Sequence, residues 1–182
     1  MNSPALTRPS AGKPRIHVCS LDRVGAMVEE TGARSLVTLL THGTAVTRPP
    51  AIRRDRHLII AMSDIVEPTL GHVLPGERHV RALLEFVGAW DRAEPLLIHC
   101  FAGVSRSTAA AFIAACALNP KQSESAIAQA VRAASPTATP NARLVAAADR
   151  ILNRSGRMRE AVAAIGRGEA CETGVPFGLE VG

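Results

Sequence analysis

The sequence predicts an α/β protein with a central, mostly parallel sheet flanked by helices. Short apolar runs typical of buried strands alternate along the chain with longer stretches that have helical periodicity. Residues 35–40, Ser-Leu-Val-Thr-Leu-Leu, are apolar on both faces, as expected of an interior strand in a parallel sheet. A repeated strand–helix–strand order of this kind is typical of α/β proteins whose sheet is parallel.

Each predicted element rests on its own pattern. Strands are expected at residues 15–20, 35–40, 57–62 and 95–98. The clearest helix spans residues 76–90, where apolar side chains recur at the spacing of one helical face: Val80, Leu83, Leu84 and Val87. Further helices are expected at residues 22–31, 108–118 and 158–165, and two more should begin after the capping residues Ser123 and Asn141.

Length and composition favour one globular domain. The 182 residues are enough for a real core, and the chain is 47 % hydrophobic and 20 % charged, unlike a disordered sequence. We expect this domain to span residues 14–165. Residues 1–13 read as a flexible N-terminal tail, and residues 166–182, with five glycines and one proline, read as a loose C-terminal tail.

Charge and residue types exclude several function classes. No apolar run is long enough for a membrane span, and no apolar leader follows Met1, so a cytoplasmic protein without membrane contact is expected. The net charge of +5 suits an anionic substrate. Nucleic acid is not expected as a partner, because no aromatic stacking platform is present. The four cysteines lack metal-ligand spacing, so neither a metal nor another cofactor is expected. The oligomeric state stays open.

The stretch from residue 95 to residue 118 contains a candidate nucleophile and candidate anion-binding groups. A buried strand stops at His99-Cys100, a short loop follows that closes at Arg106, and a long apolar helix begins at Thr108. Backbone N–H groups of a loop that enters a helix converge on one point, where the helix dipole adds positive charge. Gly103 gives this loop conformational freedom. Arg106 can bind two oxygens of a tetrahedral oxyanion, and this environment should favour the thiolate of Cys100, an activated nucleophile.

The run His-Cys-Phe-Ala-Gly-Val-Ser-Arg-Ser, residues 99–107, resembles the signature of the cysteine-dependent protein tyrosine phosphatases. Its pattern His-Cys-x-Ala-Gly-x-x-Arg-Ser most resembles the small dual-specificity branch, and the resemblance covers roughly residues 15–152. It implies the fold of that family, with Cys100 as the nucleophile that forms a cysteinyl-phosphate and Ser107 as the hydroxyl that bonds its sulfur. The phosphate would be bound by the loop, namely by Phe101, Ala102, Gly103, Val104, Ser105 and Arg106.

The resemblance also implies a general acid some thirty to forty residues before the cysteine. Asp64 lies 36 residues before Cys100 and follows the strand at 57–62, and Glu67 is close enough to compete for the role. His99 either orders the loop by bonding its backbone or is a core histidine. Asn141 is read as a helix cap that could also lie near the loop.

These residues predict metal-independent hydrolysis of phosphate monoesters. Phosphotyrosine or phosphoserine/threonine on protein is the leading substrate, and a small non-protein phosphate monoester is the alternative. A non-catalytic phosphate-binding module is the non-enzyme alternative, although such modules usually lack the cysteine or the arginine of the signature. The connection at residues 41–56 carries Arg53, Arg54 and Arg56, which could contact substrate or form a solvated basic loop.

Overall fold

The computed structural model describes residues 13–182, so the predicted N-terminal tail lies, apart from Lys13, outside the described residues. Five strands are present: β1 (Arg15–Cys19), β2 (Ser35–Leu40), β3 (His57–Ala61), β4 (Leu96–His99) and β5 (Phe177–Glu180). They form one sheet in the order β3-β2-β4-β1-β5, in which β1 to β4 are parallel and β5 is antiparallel to β1. The prediction of a central, mostly parallel sheet is confirmed.

The four parallel strands end at the same edge of the sheet. Cys19 and Thr38 are both in register with His99, on either side of β4, and Leu40 is in register with Ala61. The segments that follow these strands therefore meet at this edge, which is where an open α/β sheet usually forms its site.

Six α-helices within residues 13–182 cover the two faces of the sheet. They are α1 (Val24–Thr31), α2 (Glu77–Ala89), α3 (Arg106–Leu118), α4 (Glu124–Ala134), α5 (Ala142–Ile151) and α6 (Arg157–Ile165). Side chains of α1 pack on one face with Cys19, Leu36 and Leu97, and the other helices pack on the opposite face. Residues 106–116 of α3 are all buried, which explains the nearly continuous apolar sequence of that helix.

Side-chain caps place the starts of α4 and α5 where the sequence predicts them. The Ser123 hydroxyl accepts from the N–H of Ala126, and the Asn141 side chain accepts from the N–H groups of Arg143 and Leu144. Each cap satisfies N–H groups that have no partner within the first helical turn.

The prediction of a loose C-terminal tail is wrong. Val18 and Ile16 of β1 are in register with Phe177 and Leu179 of β5, and both of these β5 side chains are buried. Phe177, Leu179 and Val181 alternate with smaller or polar residues, which is the period of a half-buried strand. The glycine content of residues 166–182 concealed this alternation. No helix within residues 13–182 is both long enough and apolar enough to cross a membrane.

Candidate active site

The loop between β4 and α3 turns its carbonyl groups outward. Four of these carbonyls accept hydrogen bonds from backbone N–H groups of other segments, at 2.8–3.2 Å: Leu21 bonds to Phe101, Gly174 to Ala102, Thr139 to Val104 and Asn141 to Ser105. A peptide unit is planar and trans, so its N–H points away from its C=O. An outward carbonyl therefore turns the next residue's N–H toward the centre of the loop.

Three N–H groups of this loop are free to bind an anion. Those of Ala102, Val104 and Ser105 bond to no protein acceptor among residues 13–182, and that of Gly103 donates to the Cys100 sulfur at 3.3 Å. Unsatisfied buried N–H groups are rare in proteins, and a ring of them at a helix start is a typical oxyanion site. We call residues 101–106 the phosphate loop.

Gly103 is required by both its conformation and its surroundings. Its φ of +73° lies in the left-handed region, and a Cβ there would lie 2.8 Å from the carbonyl carbon of Cys19 and the nitrogen of Ser20. The end of β1 thus packs directly against the backbone of the phosphate loop. Any other residue at position 103 would push these two backbones apart.

Cys100 lies at the base of the loop and is only 1 % exposed. Its sulfur is 3.1 Å from the hydroxyl oxygen of Ser107 and accepts from the N–H of Gly103. Burial raises the pKa values of two other thiols, Cys19 and Cys116, to about 12, so these two stay protonated at neutral pH. The structure thus brings the Cys100 sulfur and the Ser107 hydroxyl into contact.

Arg106 places a buried guanidinium beside the loop. One Nη donates to the Met62 carbonyl at 2.9 Å and lies 3.4 Å from the Thr41 hydroxyl, which fixes the plane of the group. Its Nε is buried and has no hydrogen-bond partner within the described chain, and the Asp64 carboxylate is 3.7 Å away. A buried cationic donor without an acceptor is costly, and an oxygen of a bound oxyanion would satisfy it.

Asp64 reaches the phosphate loop from the end of β3. Its Oδ1 accepts from the Ser105 hydroxyl at 2.7 Å and from the Asn141 amide at 3.1 Å. Glu67 lies on the same segment, but its side chain makes no hydrogen bond to the phosphate loop in the residues described. The parallel strands thus bring Asp64, rather than Glu67, against Ser105 and Arg106.

His99 is fully buried, and both of its ring nitrogens form hydrogen bonds. Its Nδ1 is 3.2 Å from the Cys100 carbonyl, which can only accept, so this nitrogen carries the proton. Its Nε2 then accepts from the Thr38 hydroxyl at 2.7 Å, and that hydroxyl is 2.8 Å from Nε2 of His57. Burial lowers the pKa of His99 to about 4, so the ring is neutral at neutral pH.

Sequence reasoning missed Thr38 and His57 in this chain of hydrogen bonds. The available signal was Thr38 itself, a polar residue inside an otherwise apolar run that ends in Leu39 and Leu40. A buried hydroxyl needs partners, and the register of Thr38 with His99 across β2 and β4 supplies one.

Two residues at the start of α5 hold the segment that carries Asp64. The Asn141 amide donates to Asp64 and to the Ile65 carbonyl, while its oxygen caps α5. Arg143, which sequence reasoning missed, donates from Nε to the Pro75 carbonyl at 2.9 Å, and its Nη1 lies 3.4 Å from the Val66 carbonyl. Residues 64–75 are therefore fastened to α5 near both ends.

A cleft of about 690 Å³ opens beside the phosphate loop, next to Ser105. Its walls come from residues 64–69, residues 139–142 and residues 167–171. The third wall belongs to the segment that the sequence reading takes for a loose tail. Glu67 lines the cleft without reaching the phosphate loop.

The arginines of the 41–56 connection make contacts of their own. Arg53 pairs with Asp55 at 2.7 Å, and Arg56 pairs with Asp91 and Glu94 at 2.7 and 2.9 Å, all at the surface. These pairs fit the solvated basic loop of the two sequence interpretations.

Comparison with solved structures identifies the fold. A mouse dual specificity phosphatase, complexed with zinc tungstate, aligns with 87 % of this chain and 98 % of its own, at 20 % identity and a TM-score of 0.59. Human DUSP28 aligns with 77 % of this chain and 89 % of its own, at 18 % identity and a TM-score of 0.59. DUSP15 aligns over 89 % and 97 % of the two chains, at 16 % identity and a TM-score of 0.54.

The similarity to known proteins is found in the structure and not in the sequence. No protein-family model and no curated protein matches the chain in sequence. The backbone match nevertheless extends over most of both chains in each of these structures. The chain therefore has the fold of the dual-specificity protein tyrosine phosphatases.

Proposed function

We propose that this protein is a cysteine-dependent phosphatase that hydrolyses phosphate monoesters through a cysteinyl-phosphate. One observation carries the proposal: the Cys100 sulfur lies at the base of a loop whose N–H groups of Ala102, Val104 and Ser105 have no acceptor among residues 13–182, and the buried Nε of Arg106 at the end of that loop has none either. A nucleophile and preorganised donors around one point are what phosphoryl transfer requires.

The first step transfers the phosphoryl group to sulfur. The Cys100 thiolate attacks phosphorus, the S–P bond forms and the P–O bond to the leaving group breaks. The phosphate loop and Arg106 stabilise the charge on the three equatorial oxygens. Asp64 donates a proton to the leaving oxygen, a role supported by its contacts with Ser105 and by its proximity to Arg106.

The second step returns the enzyme to its starting state. Asp64, now a carboxylate, accepts a proton from a water molecule that attacks phosphorus, and the S–P bond breaks. Ser107, 3.1 Å from the sulfur, donates a hydrogen bond to the departing thiolate. His99 holds the Cys100 carbonyl, and Asn141 holds the Asp64 carboxylate between the two steps. The reaction uses no metal.

Phosphotyrosine or phosphoserine/threonine in a protein is the proposed substrate class. A cleft of about 690 Å³ beside the phosphate loop leaves space for more than the phosphorylated group itself. A small phosphate monoester is the alternative substrate. Tungstate, present in the mouse structure of the same fold, is a tetrahedral oxyanion like phosphate.

The leaving-group dependence of hydrolysis tests the proposal. Purified protein should hydrolyse p-nitrophenyl phosphate in the presence of a chelator, and Cys100→Ser should abolish turnover but still bind inorganic phosphate. Asp64→Asn should cost little with p-nitrophenyl phosphate, whose leaving group departs nearly unaided. With phenyl phosphate the same variant should lose up to roughly 10²–10⁴-fold in kcat, the usual contribution of a general acid.

Glu67→Gln is the matched control for the general acid, since Glu67 lies on the same segment without touching the phosphate loop. It should keep the wild-type ratio of the rate of phenyl phosphate hydrolysis to that of p-nitrophenyl phosphate hydrolysis. If Glu67→Gln changes that ratio and Asp64→Asn does not, the acid is Glu67. If the wild type binds phosphate but hydrolyses neither ester, the protein is a phosphate-binding module and the proposed function is wrong.

A further inference from the structure

The segment that joins α6 to β5, residues 166–176, runs directly past the phosphate loop. We call it the C-terminal strap. Backbone bonds fix it at intervals: Glu169 donates to the Pro136 carbonyl at 3.0 Å, and Gly174 donates to the Ala102 carbonyl at 2.8 Å. Gly168 donates to the Thr139 hydroxyl at 3.1 Å. The strap is thus attached both to the phosphate loop and to the residues beside it.

Arg132 fixes the beginning of the strap. Its guanidinium donates to carbonyls from two separate segments, with Pro136 at 2.6 Å and Gly166 at 2.8 Å. Gly168 packs so closely that a Cβ there would lie 2.4 Å from the Thr137 carbonyl carbon. Contacts this close leave the strap little freedom to shift away from the turn that precedes α5.

Gly174 controls two peptide units of the phosphate loop. The Gly174 N–H donates to the Ala102 carbonyl. The peptide unit that contains this carbonyl also contains the Gly103 N–H, which donates to the Cys100 sulfur. A Cβ on Gly174 would lie 2.9 Å from the Gly103 carbonyl oxygen, whose peptide unit carries the inward N–H of Val104. Gly174 does not have a positive φ, so contact with the loop is what disfavours a side chain there.

The phosphate loop is therefore held from two sides by one pair of strands. On one side Gly103 packs against Cys19 and Ser20 at the end of β1. On the other side Gly174 precedes β5, which pairs with β1. Both contacts are made by backbone atoms, so each holds the main chain of the loop directly.

The strap also forms a wall of the cleft beside the loop. Residues 167–171 face the Asp64 segment across this cleft. A general acid must lie within hydrogen-bond reach of the leaving oxygen, and Asp64 lines this cleft, so a leaving group protonated by Asp64 would lie next to it. Ala170, exposed and small, lines the cleft on the strap side.

We propose that the C-terminal strap belongs to the catalytic apparatus: Gly174 is a positioning residue for the phosphate loop, and the wall around Ala170 decides which leaving groups reach Asp64. The inference rests on the proposed function. The first part concerns oxyanion binding, which is measurable without turnover. The second part concerns a comparison of two substrates that the wild type hydrolyses.

Gly174→Ala tests the positioning role. Its Cβ should displace the Gly103 carbonyl and rotate the Val104 N–H away from the bound oxyanion. We expect inorganic phosphate, measured by calorimetry, to bind on the order of 10²-fold more weakly, the loss typical of removing one preorganised donor. The rate of Cys100 alkylation by iodoacetamide should change as well, because movement of the Gly103 backbone alters the contact of its N–H with the sulfur.

Gly178→Ala is the matched control. It crowds the same terminal region, since its Cβ would lie 2.9 Å from Nδ1 of His17, but that neighbour is a side chain on β1 rather than the phosphate loop. It should lower the melting temperature and keep the wild-type affinity for phosphate. Equal losses of affinity in Gly174→Ala and Gly178→Ala, or none in Gly174→Ala, would overturn the positioning role.

Ala170→Trp tests the wall independently of Gly174. Because residue 170 is exposed, this variant should fold, and its indole should narrow the entrance for a phosphotyrosyl peptide more than for phenyl phosphate. The ratio of kcat/KM for the peptide to that for phenyl phosphate should fall about tenfold. Ala163→Trp, at an exposed position of α6, should keep the wild-type ratio.

The outcomes distinguish a failure of the strap proposal from a failure of the proposed function. If the wild type hydrolyses both substrates and Ala170→Trp keeps their ratio, the wall assignment is wrong while the phosphatase assignment survives. If the wild type hydrolyses neither substrate, the proposed function fails, and the phosphate affinity of Gly174→Ala still decides whether the strap positions the loop.

Discussion

His99 makes the stability of this protein depend on pH in a predictable direction. The side chain is fully buried, and burial is the main cause that lowers its pKa from 6.5 to about 4. Its bond to the Cys100 carbonyl acts in the opposite direction, and the nearby His57 and Arg106 lower the pKa further. In the unfolded chain the same imidazole is expected to titrate near its ordinary value.

The direction in which stability changes with pH follows from whether the native or the unfolded state binds the proton. As pH falls below 6.5 the unfolded chain takes up a proton that native His99 refuses until about pH 4. Acid therefore favours unfolding across this window, and stability rises again as pH returns to neutrality. One pKa unit corresponds to about 1.4 kcal/mol, so the shift amounts to about 3 kcal/mol between pH 7 and pH 4.

Urea unfolding of the wild type and of His99→Asn, each at pH 7 and at pH 4, measures the contribution of His99 to the pH dependence of the free energy of unfolding. The asparagine amide can still donate to the Cys100 carbonyl but does not titrate. We expect the wild type to lose about 3 kcal/mol more free energy of unfolding than the variant on acidification. His17 and His79, whose pKa values burial also lowers, contribute equally to both proteins.

Equal losses in the two proteins would refute this reasoning. Such a result would mean that native His99 takes up its proton as readily as the unfolded chain does, which full burial between Thr38 and the Cys100 carbonyl forbids. The variant should also be the less stable protein at pH 7, because it loses the bond to Thr38.

Two further substitutions test the anion site and its acid. Arg106→Lys should lower kcat/KM and phosphate affinity by roughly 10²-fold or more, because a point-like ammonium does not reproduce the planar guanidinium, in which one Nη donates to the Met62 carbonyl and Nε is left for an oxyanion. A nearly unchanged variant would show that Arg106 does not face phosphate. Arg143→Ala frees the segment that carries Asp64, so phenyl phosphate hydrolysis should slow more than p-nitrophenyl phosphate hydrolysis, by part of the roughly 10²–10⁴-fold general-acid effect. Arg150→Ala, on the same helix but paired at the surface, should keep the wild-type ratio of the two rates, and a similar change in both variants would contradict the role of Arg143.

The central strands and most helix positions were predictable because their signals are local. The alternation of apolar runs located β1 to β4 within a residue or two, and the capping side chains of Ser123 and Asn141 marked the starts of α4 and α5. The predicted start of α3 was two residues late, because Arg106 and Ser107 form its first turn as well as part of the signature. The resemblance to the phosphatase signature pointed to Cys100, Arg106 and Asp64, and the structure brings these three to the same edge of the sheet, while their catalytic roles belong to the proposed function.

The contacts that shape the phosphate loop were not predictable because they are made by backbone. The N–H groups of Leu21, Gly174 and Thr139 that hold the loop carbonyls have no residue-specific pattern. Gly174 is a clear case: its sequence context indicates a flexible segment, whereas its lack of a side chain serves close packing against Gly103. Composition alone does not distinguish these two uses of glycine.

The shape of the anion site follows from four anchors, none of which lies in the signature itself. Held carbonyls at Phe101, Ala102, Val104 and Ser105 orient the peptide N–H groups that would bind phosphate. Because the anchors come from segments around residues 21, 139, 141 and 174, the loop can reach this shape only after β1, α5 and β5 have docked. The signature thus supplies the reactive side chains, and the rest of the fold orients the backbone donors around them.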